Sequence, residues 1–324
     1  MSLSRRMLLA AGAAAVPLGL MSSGLVSPAF AKAPPLGIPA PAAYRYKVGD
    51  VEVTEIGDGV AFRSVEGFVK NADVADVRKV LAEAFQPTDS FPVGFTTLVL
   101  NIGGKLVLID TGNGDYALAT SGTWMTNFRA AGFDPANVDL VVQSHFHPDH
   151  INGTRDKSGL VRFPNAEVIV PAPEWAFWMD DGMMSQAPAG MKPAFEGVRR
   201  VFSPMAKEVR HYQWGQEVAP GLHAVSAPGH TPGHTAFMLT SAGKSLMIMS
   251  DVTNHTTLFV RRPEWTVMFD MDGPQAIVTR KKMLDMAASE RTQVAFYHAP
   301  FPATGHIERD GKGYAFVPLE WAPV

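Results

Sequence analysis

The sequence predicts a layered α/β fold, with two β-sheets packed together and helices outside. Three observations predict it. Apolar strand segments come in pairs, and helical segments follow each pair, which is the grammar of a layered domain. One segment recurs: Gly104-Lys105-Leu106-Val107-Leu108-Ile109-Asp110 resembles Gly243-Lys244-Ser245-Leu246-Met247-Ile248-Met249-Ser250-Asp251, and each copy delivers a carboxylate at a strand end. Several apolar strands also stop at a histidine or aspartate, and strand ends of a layered fold converge on one edge where sites collect.

The chain begins with material that is not fold. Ser4-Arg5-Arg6-Met7-Leu8-Leu9 is a twin-arginine start, an apolar run reaches Met21, and Ala29-Phe30-Ala31 is a small-residue cleavage pattern. Residues 1–31 are expected to be a signal peptide cut after Ala31, which places the mature protein in the periplasm or outside the cell. The run is too short and too rich in Gly, Ala and Pro to span a bilayer well, so no stable membrane insertion is expected after cleavage. Residues 32–43 are a Pro/Ala-rich leader, and residues 44–324 are expected to form a single domain.

In order, Val51 to Ile56 alternates as a strand, and Asp73 to Phe85 has helical spacing with Asp73 as N-cap. Thr96 to Ile102 and Lys105 to Ile109 flank Gly103-Gly104, a hairpin signal. Gly122 to Ala131 reads as a helix, Val138 to Gln143 and Glu167 to Val170 as strands, and Pro173 to Met179 and Pro193 to Phe202 as helices. Strands follow at Leu222 to Ser226, Thr235 to Leu239 and Ser245 to Ser250. The helix Gln275 to Ala288 and the strands Gln293 to Tyr297 and Tyr314 to Pro318 complete the chain.

The chain carries 28 basic and 31 acidic residues, and loss of Arg5 and Arg6 leaves 26 against 31. No basic stripe appears, so no nucleic-acid partner is expected. There is no cysteine, so neither a disulfide nor a thiolate ligand is available. Any metal sits in nitrogen and oxygen.

The chemistry starts at His145-Phe146-His147-Pro148-Asp149-His150. The whole chain has only 10 histidines, and three of them fall within these six residues. Neutral imidazole suits zinc and similar divalent ions, and the carboxylate can take a second ion. A second cluster, Pro228-Gly229-His230-Thr231-Pro232-Gly233-His234, is a tight loop after a strand. Asp251 and His298 each end a further apolar run.

This H-x-H-x-D-H motif, the P-G-H-T-x-G-H loop, the Ser250-Asp251 pair, the late His298 and Asp110-Thr111-Gly112 together resemble the metallo-β-lactamase superfamily. Phe163-Pro164-Asn165-Ala166, Gly305-His306-Ile307 and Gly311-Lys312-Gly313-Tyr314 extend the likeness to its methyl parathion hydrolase group with related lactonases and esterases. The resemblance implies an αββα sandwich, two mixed β-sheets flanked by helices, holding two divalent metal ions, with zinc expected. It implies that His145, His147 and His230 hold one ion, that Asp149, His150 and His298 hold the other, and that Asp251 bridges them. Asp110, His234 and His306 are then groups that orient ligands by hydrogen bonds from behind. His211, His223 and His255 match no motif; His255 is close enough to Asp251 in sequence to reach the site, but the surface is expected for it. Five imidazoles and two carboxylates leave open positions on both ions. Two ions about 3.5–4 Å apart acidify a shared water to hydroxide, so no serine or cysteine nucleophile is needed.

Trp175, Phe177, Trp178, Met179, Met183 and Met184 form an aromatic and methionine-rich stretch. By the resemblance, Tyr116, Trp178 and Phe195 line the mouth of the substrate pocket. A pocket of that kind suits a neutral apolar ester, lactone or organophosphate triester, and an apolar patch in 173–200 is a candidate face for a homodimer. The alternatives are a β-lactam hydrolase, a glyoxalase-like thioesterase, and an exported metal-binding protein without activity. The resemblance counts against the first, because lactamases of the superfamily generally lack the bridging carboxylate. Acyl-homoserine lactonases often place a tyrosine three residues after the bridging aspartate. Asn254 stands there in this chain, so any lactone chemistry falls to the metals.

Overall fold

The computed structural model describes residues 35–37 and 39–322, so the expected signal peptide lies outside the described residues. The first half of the fold runs β1 (Ala43–Val48), β2 (Val51–Ser64), α1 (Val74–Glu83), β3 (Ser90–Ile102), β4 (Lys105–Ile109), α2 (Trp124–Ala130), β5 (Val138–Val142), α3 (Pro148–Ile151), β6 (Glu167–Pro171), α4 (Ala172–Trp178), α5 (Asp181–Gln186), α6 (Lys192–Phe202) and β7 (Arg210–Tyr212). The second half runs β8 (Glu217–Ala219), β9 (Leu222–Ser226), β10 (Thr235–Ser241), β11 (Lys244–Ser250), α7 (Gly273–Glu290), β12 (Gln293–Phe296), β13 (Thr304–Asp310) and β14 (Gly313–Pro318). Among the described residues no helix is long and apolar enough to cross a membrane.

Each half builds one seven-stranded sheet whose neighbours are consecutive in sequence. In the first, β1 to β4 are antiparallel and β4 to β7 parallel. In the second, only the β11–β12 pair is parallel. The repeated sequence segments are β4 and β11. Each is the fourth strand of its sheet, joined to an antiparallel neighbour by a hairpin and to a parallel neighbour on its other side. Both hairpin loops have two residues at positive φ, Gly103-Gly104 at 60° and 82° and Ala242-Gly243 at 44° and 73°. That is the turn whose twist matches paired strands.

The layers follow from alternation along these strands. Leu98, Leu100, Val107, Ile109 and Val142 of the first sheet meet Leu222, Phe237, Leu239, Leu246 and Ile248 of the second in the central core. The intervening residues Val99, Leu108 and Val141 face outward onto Phe128, Phe195 and Phe202 of the helices. Met247, Met249 and Phe296 likewise face Met283, Leu284 and Ala287 of α7. The apolar runs at β4 and β11 are therefore strands buried on both faces. The resulting order, helix, sheet, sheet, helix, is the predicted sandwich.

The strands β1, β7, β8 and β13 have no counterpart in the sequence reading. The strands β7 and β8 are only three residues long, and β13 carries His306, Glu308, Arg309 and Asp310, so neither run length nor hydropathy marks them. Asp73 occupies the N-cap of α1, but its side chain makes no capping bond, whereas Asp272 caps α7 by accepting from the Gln275 N–H at 3.0 Å. His255 is not on the surface. It is 4% exposed and packs edge-on against Phe91 at 5.0 Å, because a π-helical turn, Thr256–Val260, folds it inward.

Two predictions follow from this packing. Phe195 is 0% exposed and sits 4.8 Å from the Trp178 ring, so Phe195→Ala is expected to cost about 3–5 kcal/mol of stability, read by urea denaturation. Less than 1 kcal/mol would remove it from the core. Burial, then the neighbouring His298, pushes His255 down to about 4 from 6.5. The folded state thus takes up fewer protons than the unfolded one, and stability falls as pH drops from 6.5 towards 4. Between pH 6.5 and 5 this residue is expected to account for about 2 kcal/mol, so His255→Gln should show a flatter pH dependence by that amount. Identical slopes for the two proteins would contradict it.

Candidate metal centre

Four strand ends deliver the candidate ligands. Beyond β5 the chain reaches Ser144, whose N–H and Oγ–H both donate to Asp110, each at 2.7 Å. His145 and His147 follow, and Pro148 starts α3, a position that suits proline. That short helix turns Asp149 and His150 back towards the same space. Beyond β9, the 227–234 loop presents His230. A side chain at Gly229 would place its Cβ 2.3 Å from the Ala276 nitrogen, and φ there is 125°, so only glycine serves. At the end of β11 the register shifts between Ile248 and Ser250, Ser250 adopts φ 45°, and Asp251 follows, buried. Beyond β12 comes His298.

The ligand atoms form two groups, His145, His147, His230 and Asp251, and Asp149, His150 and His298; within each group they lie within 4.8 Å of one another. The Asp251 carboxylate stands between them. Its Oδ2 is 3.1 Å from Nε2 of both His230 and His298, and its Oδ1 is 3.1 Å from His150 Nε2. Asp149 Oδ2 is 3.6 Å from His150 Nε2 and 3.5 Å from His298 Nε2. His230 Nε2 is 2.8 Å from His147 Nδ1. All seven sequence-predicted ligands are brought together.

The donor chemistry fits divalent ions. Three rings are fixed from behind, as ligand histidines are. His150 Nδ1–H donates to Asp110 Oδ2 at 2.8 Å, His230 Nδ1–H to Asp270 Oδ1 at 3.0 Å, and His298 Nδ1–H to the Gly94 carbonyl at 2.8 Å. In the neutral tautomer that this sets, each inner nitrogen turns a lone pair towards carboxylate oxygens. The inner Nε2 atoms of His145 and His150 and Oδ1 of Asp251 are buried with no hydrogen-bond partner. Acceptors aimed at acceptors in a dry site need a cation.

The metal-free electrostatics express the same conflict. Burial, then the neighbouring imidazoles, pushes His145 and His147 well down. Burial opposes charge on His150 too, but Asp251, Asp149 and Asp110 outweigh it and hold that ring well up. His230 is pushed up to about 9, since Asp251 and Asp270 overcome its burial. Burial and then the His230 ring push His234 down to about 3. As a neutral ring, His234 donates from Nδ1 to the Ala227 carbonyl at 2.9 Å, and its Nε2 accepts the Asp251 N–H at 3.1 Å.

Asp110 and His234 therefore stand behind ligands as the sequence suggests, while His306 does not. The strand β13 runs antiparallel to β12, with Gly305 opposite Val294, so His306 is carried away from the end that bears His298. It lines a surface groove with Lys47, Lys244 and Glu290. Trp178 and Phe195 are also corrected. They are 1% and 0% exposed, packed between helices and sheet, with the Trp178 N–H donating to Glu174 at 2.9 Å.

The cavity over the ligands has a volume of about 310 Å³. Of the three predicted pocket residues only Tyr116 lines it, beside Val93, Phe95, Leu118, Phe269 and Arg63. The Arg200 guanidinium stacks 3.8 Å over the Tyr116 ring.

Sequence reasoning missed Asp270 and Glu174, and it named Asn254 without its bond to Asp251. Asn254 Nδ2 donates to Asp251 Oδ2 at 2.9 Å. Buried Glu174 accepts from the Phe146 N–H at 2.9 Å and the Gly233 N–H at 2.6 Å, tying both histidine loops to α4. Glu174 carried a signal, a lone acid in an apolar helix. Asp270 carried none.

Comparison with known proteins agrees with this geometry. The family model of the metallo-beta-lactamase superfamily matches residues 91–298, a span that includes all seven ligands. The N-acyl homoserine lactonase AttM of Agrobacterium fabrum is 34% identical over 116 residues, which cover 34% of this chain and 39% of that relative. The chain thus aligns with less than half of that relative's length. A crystal structure of AbOPH, a hydrolase in the beta lactamase superfamily, superposes with a TM-score of 0.83 and 29% identity, covering 88% of this chain and all of the other. AidC, a dizinc quorum-quenching lactonase in complex with a product, N-hexnoyl-L-homoserine, shares the fold with a TM-score of 0.82 at 24% identity, covering 87% and 99%. These likenesses support a metal-dependent hydrolase. With the fold, the ligand geometry and a family match over most of its length in agreement, the chain belongs to the metallo-β-lactamase superfamily.

Proposed function

We propose that the chain is a dinuclear metal-dependent hydrolase, with zinc as its ion, acting on neutral apolar lactones and esters, organophosphate triesters included. One observation carries this reading: two ligand groups share Asp251 at the floor of a largely apolar cavity. His145, His147 and His230 would hold one ion, Asp149, His150 and His298 the other, and Asp251 both. When bound, the pair supplies an acidified water and polarises the scissile carbonyl or phosphoryl bond.

The protein's own groups do the rest. Asp110, Asp270 and Gly94 keep three imidazoles in the tautomer that turns a lone pair inward. Phe95, Val93, Leu118 and Phe269 exclude water and receive an apolar substrate. A lactone is favoured within the class by the substrates named for AttM and AidC. The twin-arginine start supports export, and exported protein should begin at Lys32. An intact Met1 in a periplasmic fraction would count against that.

Purified protein is expected to hold close to two zinc ions per chain, and Asp251→Ala one or fewer. The bridge contributes several kcal/mol to the transition state, so kcat/KM for an acyl lactone should fall by about 10²–10⁴. Full activity with a single ion would sink the dinuclear reading. Zinc binding must also displace protons, because the metal-free His230 is held near 9. Below that pH, affinity should rise with pH, and calorimetry in buffers of different ionisation enthalpy should give different heats. Heats that do not depend on the buffer would oppose the assigned ligands.

A further inference from the structure

Arg280 lies in the middle of α7, outside the ligand cluster, and is 1% exposed. An isolated buried guanidinium is costly, so its partners show what it is for. Its NH2 group meets Asp270 Oδ2 at 3.3 Å. Its Nε–H donates to the Val252 carbonyl at 2.7 Å, and its NH1 group donates to the carbonyls of Trp265 and Pro263. The guanidinium also lies 5.1 Å over the Phe259 ring.

These partners lead to two metal ligands from opposite sides. Asp270 is 1% exposed, and its other oxygen, Oδ1, holds His230. Its Oδ2 also accepts the Val267 N–H at 3.2 Å. Val252 directly follows Asp251, whose own N–H is held by His234. One planar fork therefore fixes the carboxylate that sets the His230 ring and the Val252 carbonyl, one residue beyond Asp251. Only arginine presents several donors in one rigid plane, whereas lysine offers a point charge.

We propose that Arg280 is a positioning residue that locks His230 and Asp251 in register with each other, acting on His230 through Asp270. This rests on the proposed first metal site. Arg280 touches no ligand atom. It restrains the loop after β9 and the loop after β11 with a single side chain, so the distance between the two ligands is set from α7. The expected consequence is graded: the ion held by His230 depends most on Arg280, because the other ion shares only Asp251 with it and takes His150 and His298, which Asp110 and Gly94 orient.

The test is a double-mutant cycle on the full chain, read by zinc competition with a chromophoric chelator and by the visible spectrum of the cobalt-substituted protein. The variants are Arg280→Met, Asp270→Asn and the two combined. Each single change is expected to weaken the zinc ion held by His230 about 10–100-fold, to weaken the other ion less, and to alter the cobalt spectrum of the His230 site most. The combined variant should be no weaker than the worse single one, because the two residues act in series. Multiplying losses, equal weakening of both ions, or unchanged affinity in a folded Arg280→Met protein would each overturn the proposal. If Arg280→Met does not fold, Arg280→Lys takes its place in the same cycle. It keeps the charge and loses the fork, so it should still weaken the same ion, and unchanged affinity would again overturn the proposal. Wild-type protein that binds no zinc would instead refute the dinuclear reading.

Discussion

The buried carboxylate of Asp251 is the group on which the rest of the structure depends. Its two oxygens stand 3.1 Å from nitrogens of His150, His230 and His298, and these come from three different strand ends. His150 belongs to the first half of the fold; Asp251, His230 and His298 belong to the second. The two sheets are therefore joined by their common core and also by a charge they share at one edge. Such a cluster of inward lone pairs in a dry site is unfavourable in isolation, and a divalent cation turns the same arrangement favourable. On the proposed dinuclear reading, metal binding and folding are then coupled. The tight loops around the site, Gly229 against α7 and Gly233 against Glu174, hold the ligands where that coupling needs them.

The two halves divide the work unequally although they are built alike. The strands β4 and β11 hold equivalent places, and each ends with a non-glycine residue at positive φ, Asp110 at 63° and Ser250 at 45°. Left-handed backbone at such residues is uncommon and tends to mark functional positions. In the first half the turn leaves Asp110 behind the site, where it supports His150 and the Ser144 peptide. In the second half a register shift moves the carboxylate one residue further along, to Asp251, and into the centre. The same motif thus supplies a ligand from one sheet and the support for a ligand from the other. The Ser144 and Ser250 hydroxyls, 2.8 Å apart, join the two turns directly.

The convergence of the candidate ligands was legible in the sequence because their segments each follow an apolar strand, and strand ends converge. The layers were legible because β4, β5 and β11 are apolar at successive positions, which only a doubly covered strand tolerates. What stayed hidden depends on contacts between distant segments. Asp270 is an ordinary acid in a loop until the fold brings it to His230, 40 residues away in sequence. Trp178 and Phe195 were placed at the pocket by the resemblance alone, and an apolar helix face carries no mark in the sequence of whether it meets a sheet or a substrate. His306 was misplaced because an antiparallel turn, invisible in the motif, sends it to the opposite end of the sheet.

That error about the pocket locates substrate selection in a different part of the molecule. The resemblance points to Trp178 of α4 and Phe195 of α6, which the structure commits to the core. The walls over the ligands come instead from the far ends of two long strands, β2 and β3. Arg63 pairs with Phe91 and Ala61 with Val93 beyond the point where the register slips at Gly57 to Val60. Arg63, Val93 and Phe95 on this ribbon line the cavity. The Arg63 guanidinium rests 5.3 Å over the Phe269 ring opposite, so even the charged part of the wall is held. A hydrogen-bonded ribbon moves far less than a free loop. This strand-built part of the wall is then pre-formed, and on the proposed reading selection among apolar substrates falls in part to Arg63, Val93 and Phe95.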